Sequence, residues 1–274
     1  MSRFWSKFTK QSPCPACGHS DWLCRVGDRK YICMRVESSH AAKDGGWYHD
    51  FGNSKPRYIP PSRPAPPPLK NASELMHGWQ LMMKLEDYER LAKSLGVCPS
   101  SIMALDAAWA KEHAAWMFPM RDGEGEVIGI QVRGETKKSI TGSRLGLFIP
   151  NLDPQPVAFL PEGASDTAAL LTLGLYAIGR PSCNTGADHL KVALRRLGVR
   201  KVVVVADNDE PKENGQRPGI AGALKLQQDL KMNSVVWMPS GRIKDVRQLV
   251  HRIGVQSARQ MIDDDVSKKI WTTP

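Results

Sequence analysis

The second half of the chain alternates short apolar runs with segments of helical periodicity. Apolar runs at Val157–Leu160, Tyr176–Ile178 and Lys201–Ala206 have the length of buried strands. A helical pattern over Asp166–Leu173 separates the first two runs, and a second helical pattern precedes the third. This alternation is typical of βαβ units, so we predict an α/β domain built on a parallel sheet. The pattern continues with a helix over Gly219–Lys231 and a strand over Ser234–Met238.

Three acidic residues follow the predicted strands. Glu162 comes after the first strand, and Asp207 and Asp209 come directly after the third. Ligands of such sheets bind at the carboxyl ends of the strands, so we expect these carboxylates to converge on one edge. Oxygen ligands of this kind suit Mg²⁺ or Mn²⁺. The alternative is an ordinary polar loop after a buried strand.

The middle of the chain predicts a helical scaffold followed by a basic hairpin. Apolar residues recur at helical spacing over Ala72–Leu95, where we expect the aromatic and Met side chains to be core. Gly96 would cap this helix, and a short helix would cover Ser101–Leu105. A turn at Asp122–Gly125 predicts a hairpin between Trp116–Met120 and Val127–Arg133. Cationic side chains cluster at the end of the hairpin and beyond it: Arg133, Lys137, Lys138 and Arg144.

Four cysteines near the N-terminus predict a metal site. Cys14 and Cys17 form a CxxC pair, and Cys24 and Cys33 are the natural other pair. A closed structural zinc site needs four ligands. The second pair lacks the usual CxxC spacing, so His19 and His40 remain alternatives to Cys24. A redox-active CxxC is disfavoured because no βαβ pattern surrounds it. So short a segment can hardly fold without a metal.

Charge is distributed unevenly along the 274 residues. The net charge is +10, and residues 1–70 hold 12 lysines and arginines against 5 acidic residues. This excess favours a polyanionic partner for the N-terminal segment, although a merely soluble basic face would have the same composition. Cations and aromatics alternate there as in single-strand binding proteins, among them Trp22, Arg29, Tyr31, Arg35, Trp47 and Tyr48. The aromatics could instead form the core of this segment.

Two further features concern organisation and location. Residues 55–70 contain seven prolines, which indicates a stiff linker, with a protein-docking site as the alternative. No apolar run reaches the length of a membrane span, and the N-terminus lacks the apolar core of a signal peptide. We therefore expect a cytoplasmic protein that does not associate with membranes.

The acidic motifs resemble those of the Toprim domain, which primases, topoisomerases and some nucleases share. The resemblance covers roughly residues 157–250 and rests on Glu162-Gly163, Asp166, and Asp207-x-Asp209. It implies a Rossmann-like catalytic domain in which Glu162 is the acid/base residue and the acidic pair binds Mg²⁺ or Mn²⁺. Lys244-Asp245 resembles a further signature of the primase Toprim domain. Asp245 would then be a third magnesium ligand, or else only an N-cap.

The rest of the chain resembles the other parts of replicative primases. The cysteine segment is similar to their zinc ribbon, and the hairpin with its closing Gly146–Pro150 is similar to the basic subdomain that precedes Toprim. The implied order is a zinc ribbon over 1–54, a linker over 55–70, a mixed α+β basic subdomain over 71–155 and a Toprim domain over 156–274. The residues implied to contact nucleotides or template are Arg133, Lys137, Lys138, Arg144, Asp166 and Lys244.

The resemblance implies a DNA primase that makes short RNA primers on single-stranded DNA from nucleoside triphosphates. Its cofactors would be structural Zn²⁺ and catalytic Mg²⁺ or Mn²⁺. No Walker A motif is present, so any helicase would be a separate partner. A Toprim nuclease and a non-catalytic single-strand binding module are the alternatives. A topoisomerase would need a nucleophilic tyrosine, and none of the five tyrosines has a catalytic context.

Overall fold

The chain divides into two compact units, residues 1–65 and 66–274, and each is described by itself. The computed structural model describes residues 6–9, 13–20, 24–26, 30–43, 45–50, 67–134, 137–182, 185–211, 215–269 and 271. Trp22, Arg29 and most of the predicted proline linker lie outside these residues, so the predictions made for them stand untested.

The N-terminal unit is a small antiparallel sheet over a cysteine-rich core. Its strands are adjacent in the order β1 (Ser6–Lys7), β2 (Arg25–Val26), β3 (Lys30–Cys33) and β4 (Trp47–Asp50). The Tyr31 side chain is only 1% exposed. Its ring stacks on His49 at 5.1 Å and meets the edge of Phe8 at 5.8 Å. Tyr31 therefore belongs to the core of this unit and is closed to base stacking.

The second unit begins with three helices, α1 (Ala72–Leu81), α2 (Leu85–Leu95) and α3 (Pro99–Ala104). The prediction of one helix over residues 72–95 is wrong, because the helix stops at Leu81. The Asp87 carboxylate accepts the Lys84 backbone N–H at 3.1 Å, and this cap starts a new helix. The Met82 side chain lies at the resulting corner and is 79% exposed, so the expectation that it packs in the core is also wrong.

The predicted hairpin is confirmed as part of an antiparallel sheet. Its strands are adjacent in the order β5 (Ala108–Ala110), β6 (Ala115–Arg121), β7 (Val127–Arg133) and β8 (Lys137–Ser139). The Asp122 carboxylate builds the turn, since its Oδ1 accepts the backbone N–H groups of residues 124, 125 and 126 at 3.0 Å each. This tight turn fixes the register that carries Arg133 to the end of β7.

The predicted parallel sheet is also confirmed. Its strands are adjacent in the order β11 (Ser234–Trp237), β10 (Lys201–Val205) and β9 (Val157–Leu160). The segment predicted as a strand over residues 176–178 joins β9 through single parallel bridges, Phe159 to Ala177 and Glu162 to Arg180. The surrounding helices are α4 (Gly163–Thr172), α5 (Ala187–Arg196), α6 (Pro218–Leu230), α7 (Val246–Ile253) and α8 (Val255–Ser267).

Helices cover both faces of this sheet, which explains the unbroken run of valines in β10. Val202 and Val204 pack into one buried cluster with α5 and α6. Val203 and Val205 pack into a second cluster with α4, α7 and α8. A strand buried on both sides needs apolar residues at every position. None of the described helices combines the length and apolar character needed to cross a membrane.

The segment over residues 146–150 joins the two sheets of this unit. Leu147 bridges to Arg121 at the end of β6, and Phe148 bridges to Gly179 beside β9. A Cβ on Gly146 would lie 2.5 Å from the Arg121 carbonyl oxygen, so only glycine permits this approach. The basic hairpin is thereby fixed relative to the strand ends that carry the acidic residues.

The start of α6 packs directly on the strand end that precedes Asp209. A Cβ on Gly219 would lie 2.5 Å from the Asp207 carbonyl oxygen. We expect Gly219→Ala to lower the free energy of unfolding by about 1–3 kcal/mol, because α6 or the β10 end must move. Gly78→Ala in α1 is the control: no atom lies within 4 Å of its added Cβ. That change should stabilise by about 0.5–1 kcal/mol. Urea denaturation checks both, and equal effects would contradict this packing argument.

Candidate functional site

The four predicted cysteines come together in the N-terminal unit. The sulfur atoms of Cys14, Cys17, Cys24 and Cys33 lie within 4.8 Å of one another, and all four side chains are buried. The Sγ of Cys24 lies 3.5 Å from the Sγ of Cys17 and 3.8 Å from that of Cys33. Four converging thiols are the donor set of a closed tetrahedral zinc site. The arrangement supports a structural Zn²⁺.

The strand pairing explains why Cys24 joins this cluster despite its unusual spacing. Arg25 pairs with Ile32 across β2 and β3, which places the neighbouring Cys24 beside Cys33. Among the described residues, the group of ligand atoms that converge here contains the four sulfurs and neither histidine alternative. The Nδ1 of His40 forms a hydrogen bond with Ser39 Oγ at 2.9 Å, and the Nδ1 of His19 forms one with the Cys17 carbonyl at 2.8 Å. Long-range pairing of this kind has no signature in cysteine spacing.

Arg35 faces the sulfur cluster. Its Nη1 lies 3.8 Å from Cys24 Sγ and 4.0 Å from Cys17 Sγ. The backbone N–H groups of Arg35 and Val36 donate to Cys33 Sγ at 3.4 and 3.3 Å. Zinc bound by four thiolates carries a net charge of about −2, which a neighbouring guanidinium and N–H groups stabilise. Arg35 therefore supports the cluster, whereas the sequence grouped it with cations that follow a nucleic-acid backbone.

The acidic residues of the second unit lie at three adjacent strand ends. Glu162 follows β9 and precedes α4, Asp207 and Asp209 follow β10, and Asp245 stands after β11 at the start of α7. Burial, and then the negative charges of Glu162, Asp209 and Asp245, raise the pKa of Asp207 to about 7. Like charges held this close favour either a bound proton or a bound cation.

Asn208 connects two of these strand ends, a role that no sequence pattern indicates. Its side-chain amide donates to the carbonyls of Gly241 at 2.9 Å and Ile243 at 3.1 Å. Its backbone N–H donates to the Lys244 carbonyl at 2.7 Å. The loop after β10 is thus fastened to the loop after β11. This holds Asp207 and Asp209 close to Asp245 although their charges repel.

Asp166 and Asp245 both hold the start of α7. Asp245 Oδ1 accepts the Gln248 backbone N–H at 2.7 Å, which is the N-cap alternative. The Oδ2 atom of Asp245 is not used by this cap, so the role of Asp245 as a magnesium ligand stays a prediction. The Asp166 side chain is 7% exposed, and its Oδ1 accepts the Arg247 backbone N–H at 3.0 Å. Burial, and then the charge of Asp245, raise the pKa of Asp166 to about 7.

The predicted cationic residues divide into two groups. Arg133 is half-buried, and its Nη1 donates to Ser165 Oγ in α4 at 3.2 Å. Burial, and then the charge of Arg247, lower the pKa of Arg133. The Lys244 ammonium lies 3.2 Å from an Asp209 carboxylate oxygen, and this hydrogen bond raises the pKa of Lys244. These two cations therefore reach the acidic edge.

The second group consists of residues on and after β8. Lys138 and Arg144 are exposed, and no contact with the acidic residues is seen for them in the described part of the chain. The backbone of Lys137 lies in β8 opposite Arg133, but its side chain is outside the description. Their roles toward nucleotide or template stay predictions.

Oxygen donors at the acidic edge fit Mg²⁺ or Mn²⁺ rather than zinc. Among the described residues, only the four cysteines bring three or more metal-binding side chains within 4.8 Å of one another. The carboxylates at the strand ends are more open. Mg²⁺ suits such a site because it keeps several waters and takes ligands from substrate phosphates.

Solved structures of primases share this fold. The DnaG primase catalytic domain bound to ssDNA has a TM-score of 0.53 and 17% identity, covering 70% of this chain and 77% of that chain. The RNA polymerase domain of Mycobacterium tuberculosis primase DnaG has a TM-score of 0.52 and 18% identity, covering 70% and 81%. The Aquifex aeolicus primase, with zinc-binding and RNA polymerase domains, has a TM-score of 0.54 and 15% identity, covering 70% and 59%.

The likeness to these structures is one of fold. No family profile matches the sequence, and no curated protein matches it. The predicted fold class is confirmed, since a small sheet with a four-cysteine cluster, a mixed α+β subdomain and a domain built on a parallel sheet are all present, and primase structures share this fold. The division into domains at residues 54, 70 and 155 stays a prediction.

The sulfur cluster predicts which substitution removes the metal. Cys24→Ser should lose most bound zinc and unfold the ribbon, because three thiolates leave the tetrahedral site open. His40→Ala should keep about one zinc per chain because His40 lies outside the cluster. Metal analysis of both purified variants makes the comparison. Full zinc in Cys24→Ser with loss in His40→Ala would assign the fourth ligand to His40 instead.

The raised pKa values at the acidic edge predict a pH dependence of stability in buffer without added divalent cations. Asp207 titrates near 7 in the folded chain, against about 3.9 when unfolded. The folded state binds this proton more tightly, so stability should be full below pH ~4 and fall as the pH rises to ~7. Asp207→Asn should make this fall smaller, and the part due to Asp166, whose pKa is also raised to about 7, should remain.

Circular dichroism during urea denaturation measures this dependence, because the described helices all lie in the second unit. Added Mg²⁺ should restore stability at pH 7 in the unmodified chain and do so less in Asp207→Asn. The same pH dependence in both proteins would show that Asp207 is not the group responsible.

Proposed function

We propose that this protein is a DNA primase, which joins ribonucleotides on a single-stranded DNA template. The observation that carries the proposal is the convergence of Glu162, Asp207, Asp209 and Asp245 at three adjacent strand ends. A four-cysteine ribbon in the same chain and the likeness of fold to primase catalytic cores support it.

The reaction is the transfer of a nucleotidyl group. The primer 3′-oxygen forms a bond to the α-phosphorus of the incoming nucleotide while the bond to the bridging oxygen breaks. Pyrophosphate departs with that electron pair, and the hydroxyl proton passes to a base or to water. A divalent cation, when bound, supplies Lewis acidity to the reacting phosphate oxygens. Asp207, Asp209 and Asp245 would hold it.

Glu162 has two possible duties, and its position suits both. It precedes α4, makes no side-chain bond to that helix, and approaches Asp207 closely enough to raise its pKa. It either takes the hydroxyl proton or completes the shell of the cation. Glu162→Gln distinguishes these duties, because a lost base changes the pH–rate profile whereas a lost ligand weakens metal binding.

The remaining parts of the chain would serve binding. Arg133 and Lys244 lie at the acidic edge, where they offset the negative charge of a bound triphosphate. Lys137, Lys138 and Arg144 would follow the template backbone, and the zinc ribbon would read the template across the proline-rich segment. Nucleoside triphosphates and single-stranded DNA are the substrates, the protein would act in the cytoplasm, and a separate helicase would supply unwound template.

A Toprim nuclease is the second candidate, because the same acids can hold a cation against a phosphodiester. A nuclease would not need a ribbon to read a template or a basic hairpin to bind it, and this chain has a four-cysteine ribbon and a basic hairpin. A topoisomerase is disfavoured because Tyr31 and Tyr176 are buried and Tyr88 packs against the scaffold helices. A non-catalytic binding module would not need four carboxylates held together at a cost in stability.

Replacement of Asp207 by Asn tests the enzyme against the binding module. The change removes a charge and little volume, so primer synthesis should fall on the order of 100-fold or more through lost transition-state stabilisation. Single-strand affinity should persist because the ribbon and the residues around β8 are unchanged. Asp153→Asn, an exposed residue before β9, is the matched control.

The assay uses labelled ribonucleotides and mixed single-stranded templates with Mg²⁺ or Mn²⁺, and strand affinity is measured on the same preparations. Undiminished synthesis in Asp207→Asn would refute its metal role. If the unmodified protein makes no primers on any template but cleaves nucleic acid, the protein is a nuclease and the primase proposal is wrong.

A further inference from the structure

A cleft of about 640 Å³ opens beside Asp209. One wall is the loop after β10, with residues 208–211, and the start of α6, with Arg217 and Pro218. The other wall is the loop after β11, with Gly241, Arg242 and Lys244. The Asn208 amide fastens the two walls together through the carbonyls of Gly241 and Ile243. The cleft is therefore a built feature that shares Asp209 and Lys244 with the acidic edge.

Among the described residues, two guanidinium groups that line this cleft have no carboxylate partner. Arg217 Nη1 lies 3.5 Å from the neutral Asn208 Oδ1, whereas Lys244 is paired with Asp209 at 3.2 Å. Across the residues that the structure describes, neither Arg217 nor Arg242 takes part in an ion pair. The unpaired charge faces the space next to Asp209.

We propose that this cleft binds the β- and γ-phosphates of the incoming nucleotide and then the pyrophosphate that leaves. This inference rests on the proposed function and adds a place for the leaving group. Arginine is suited to the task because its planar fork donates two parallel hydrogen bonds to phosphate oxygens. The cleft lies within the volume range of small-molecule sites, about 300–1,000 Å³, so a hydrated metal–polyphosphate fits.

The cleft lies where negative charge would build up on the departing pyrophosphate. When the bond from the α-phosphorus to the bridging oxygen breaks, the electron pair stays on that oxygen and the departing group becomes more negative. Arg217 and Arg242 would stabilise this charge from the side away from Glu162. Pro218 opens α6 at the cleft wall, and the positive end of a helix dipole adds to the same potential.

The test uses the full chain and pyrophosphate with Mg²⁺ as the probe. Calorimetric titration should show one pyrophosphate per chain. Arg217→Ala and Arg242→Ala should each weaken binding, and the double variant should weaken it at least about tenfold, since each removes a charge-assisted hydrogen bond. Arg200→Ala is the matched control, because Arg200 is exposed at the opposite end of β10.

Kinetic and strand-binding measurements complete the test. The KM for nucleoside triphosphate and the inhibition constant for pyrophosphate should rise together in the double variant, while affinity for single-stranded DNA stays constant. Pyrophosphate binding that is equal in the double variant and the control would overturn the inference. Single-strand affinity that falls in step with pyrophosphate affinity would overturn it as well, because the cleft would then hold the template backbone.

Failure of the inference and failure of the proposed function give different results. If primer synthesis depends on Asp207 but pyrophosphate affinity does not depend on Arg217 and Arg242, the leaving group binds at another place. Only the inference is then wrong. If no primers are made but pyrophosphate binding depends on both arginines, the cleft is a polyphosphate site and the primase proposal is wrong.

Discussion

Mutual repulsion among half-buried carboxylates is the constraint on which the second unit depends. Asp207 meets Glu162, Asp209 and Asp245 at the sheet edge, and Asp166 lies beneath Asp245. Repulsion between these charges would be lowered if the loops that carry them moved apart. Here Asn208 fastens the two loops, and Asp166 holds the start of α7 through the Arg247 N–H. Hydrogen bonds thus keep an electrostatically unfavourable cluster of carboxylates in place, which is the arrangement expected of a cation site.

The two units are stabilised by different interactions. The second unit buries apolar residues on both faces of its parallel sheet, as the alternate packing of Val202 and Val203 shows. The ribbon has few aliphatic residues, and its buried cluster consists mainly of the four cysteines with Phe8, Ala16 and Tyr31. Its folding is therefore coupled to metal binding, whereas the second unit is stabilised by burial of apolar residues.

The parts of the structure that the sequence predicted are those governed by local pattern. The valine run of β10 and the turn at Asp122 carry periodicity and turn chemistry that leave few alternatives. The interruption after Leu81 was missed because the apolar spacing continues across it, and only the Asp87 cap marks the new helix. The sulfur ligand Cys24 stayed uncertain because strand pairing, not spacing, brings it to Cys33.

Within the site, the sequence indicated the acids but not what holds them. Asn208 looked like one polar residue in a polar loop, since its partners are carbonyls more than thirty residues away. The Asp166 side chain is buried and accepts the Arg247 backbone N–H at the start of α7, while its predicted contact with nucleotide or template stays a prediction. Neither role can be read from residue type, because both depend on where two loops meet in the folded chain.

The central claim is that the carboxylates at the strand ends hold a divalent cation. Electron paramagnetic resonance during Mn²⁺ titration of the zinc-loaded chain measures this directly, because free and bound Mn²⁺ give different signals. We predict saturable binding that Mg²⁺ displaces and that Asp207→Asn and Asp209→Asn each weaken by about tenfold or more, while Asp153→Asn does not. Mn²⁺ binding of equal strength in all four proteins would contradict the account.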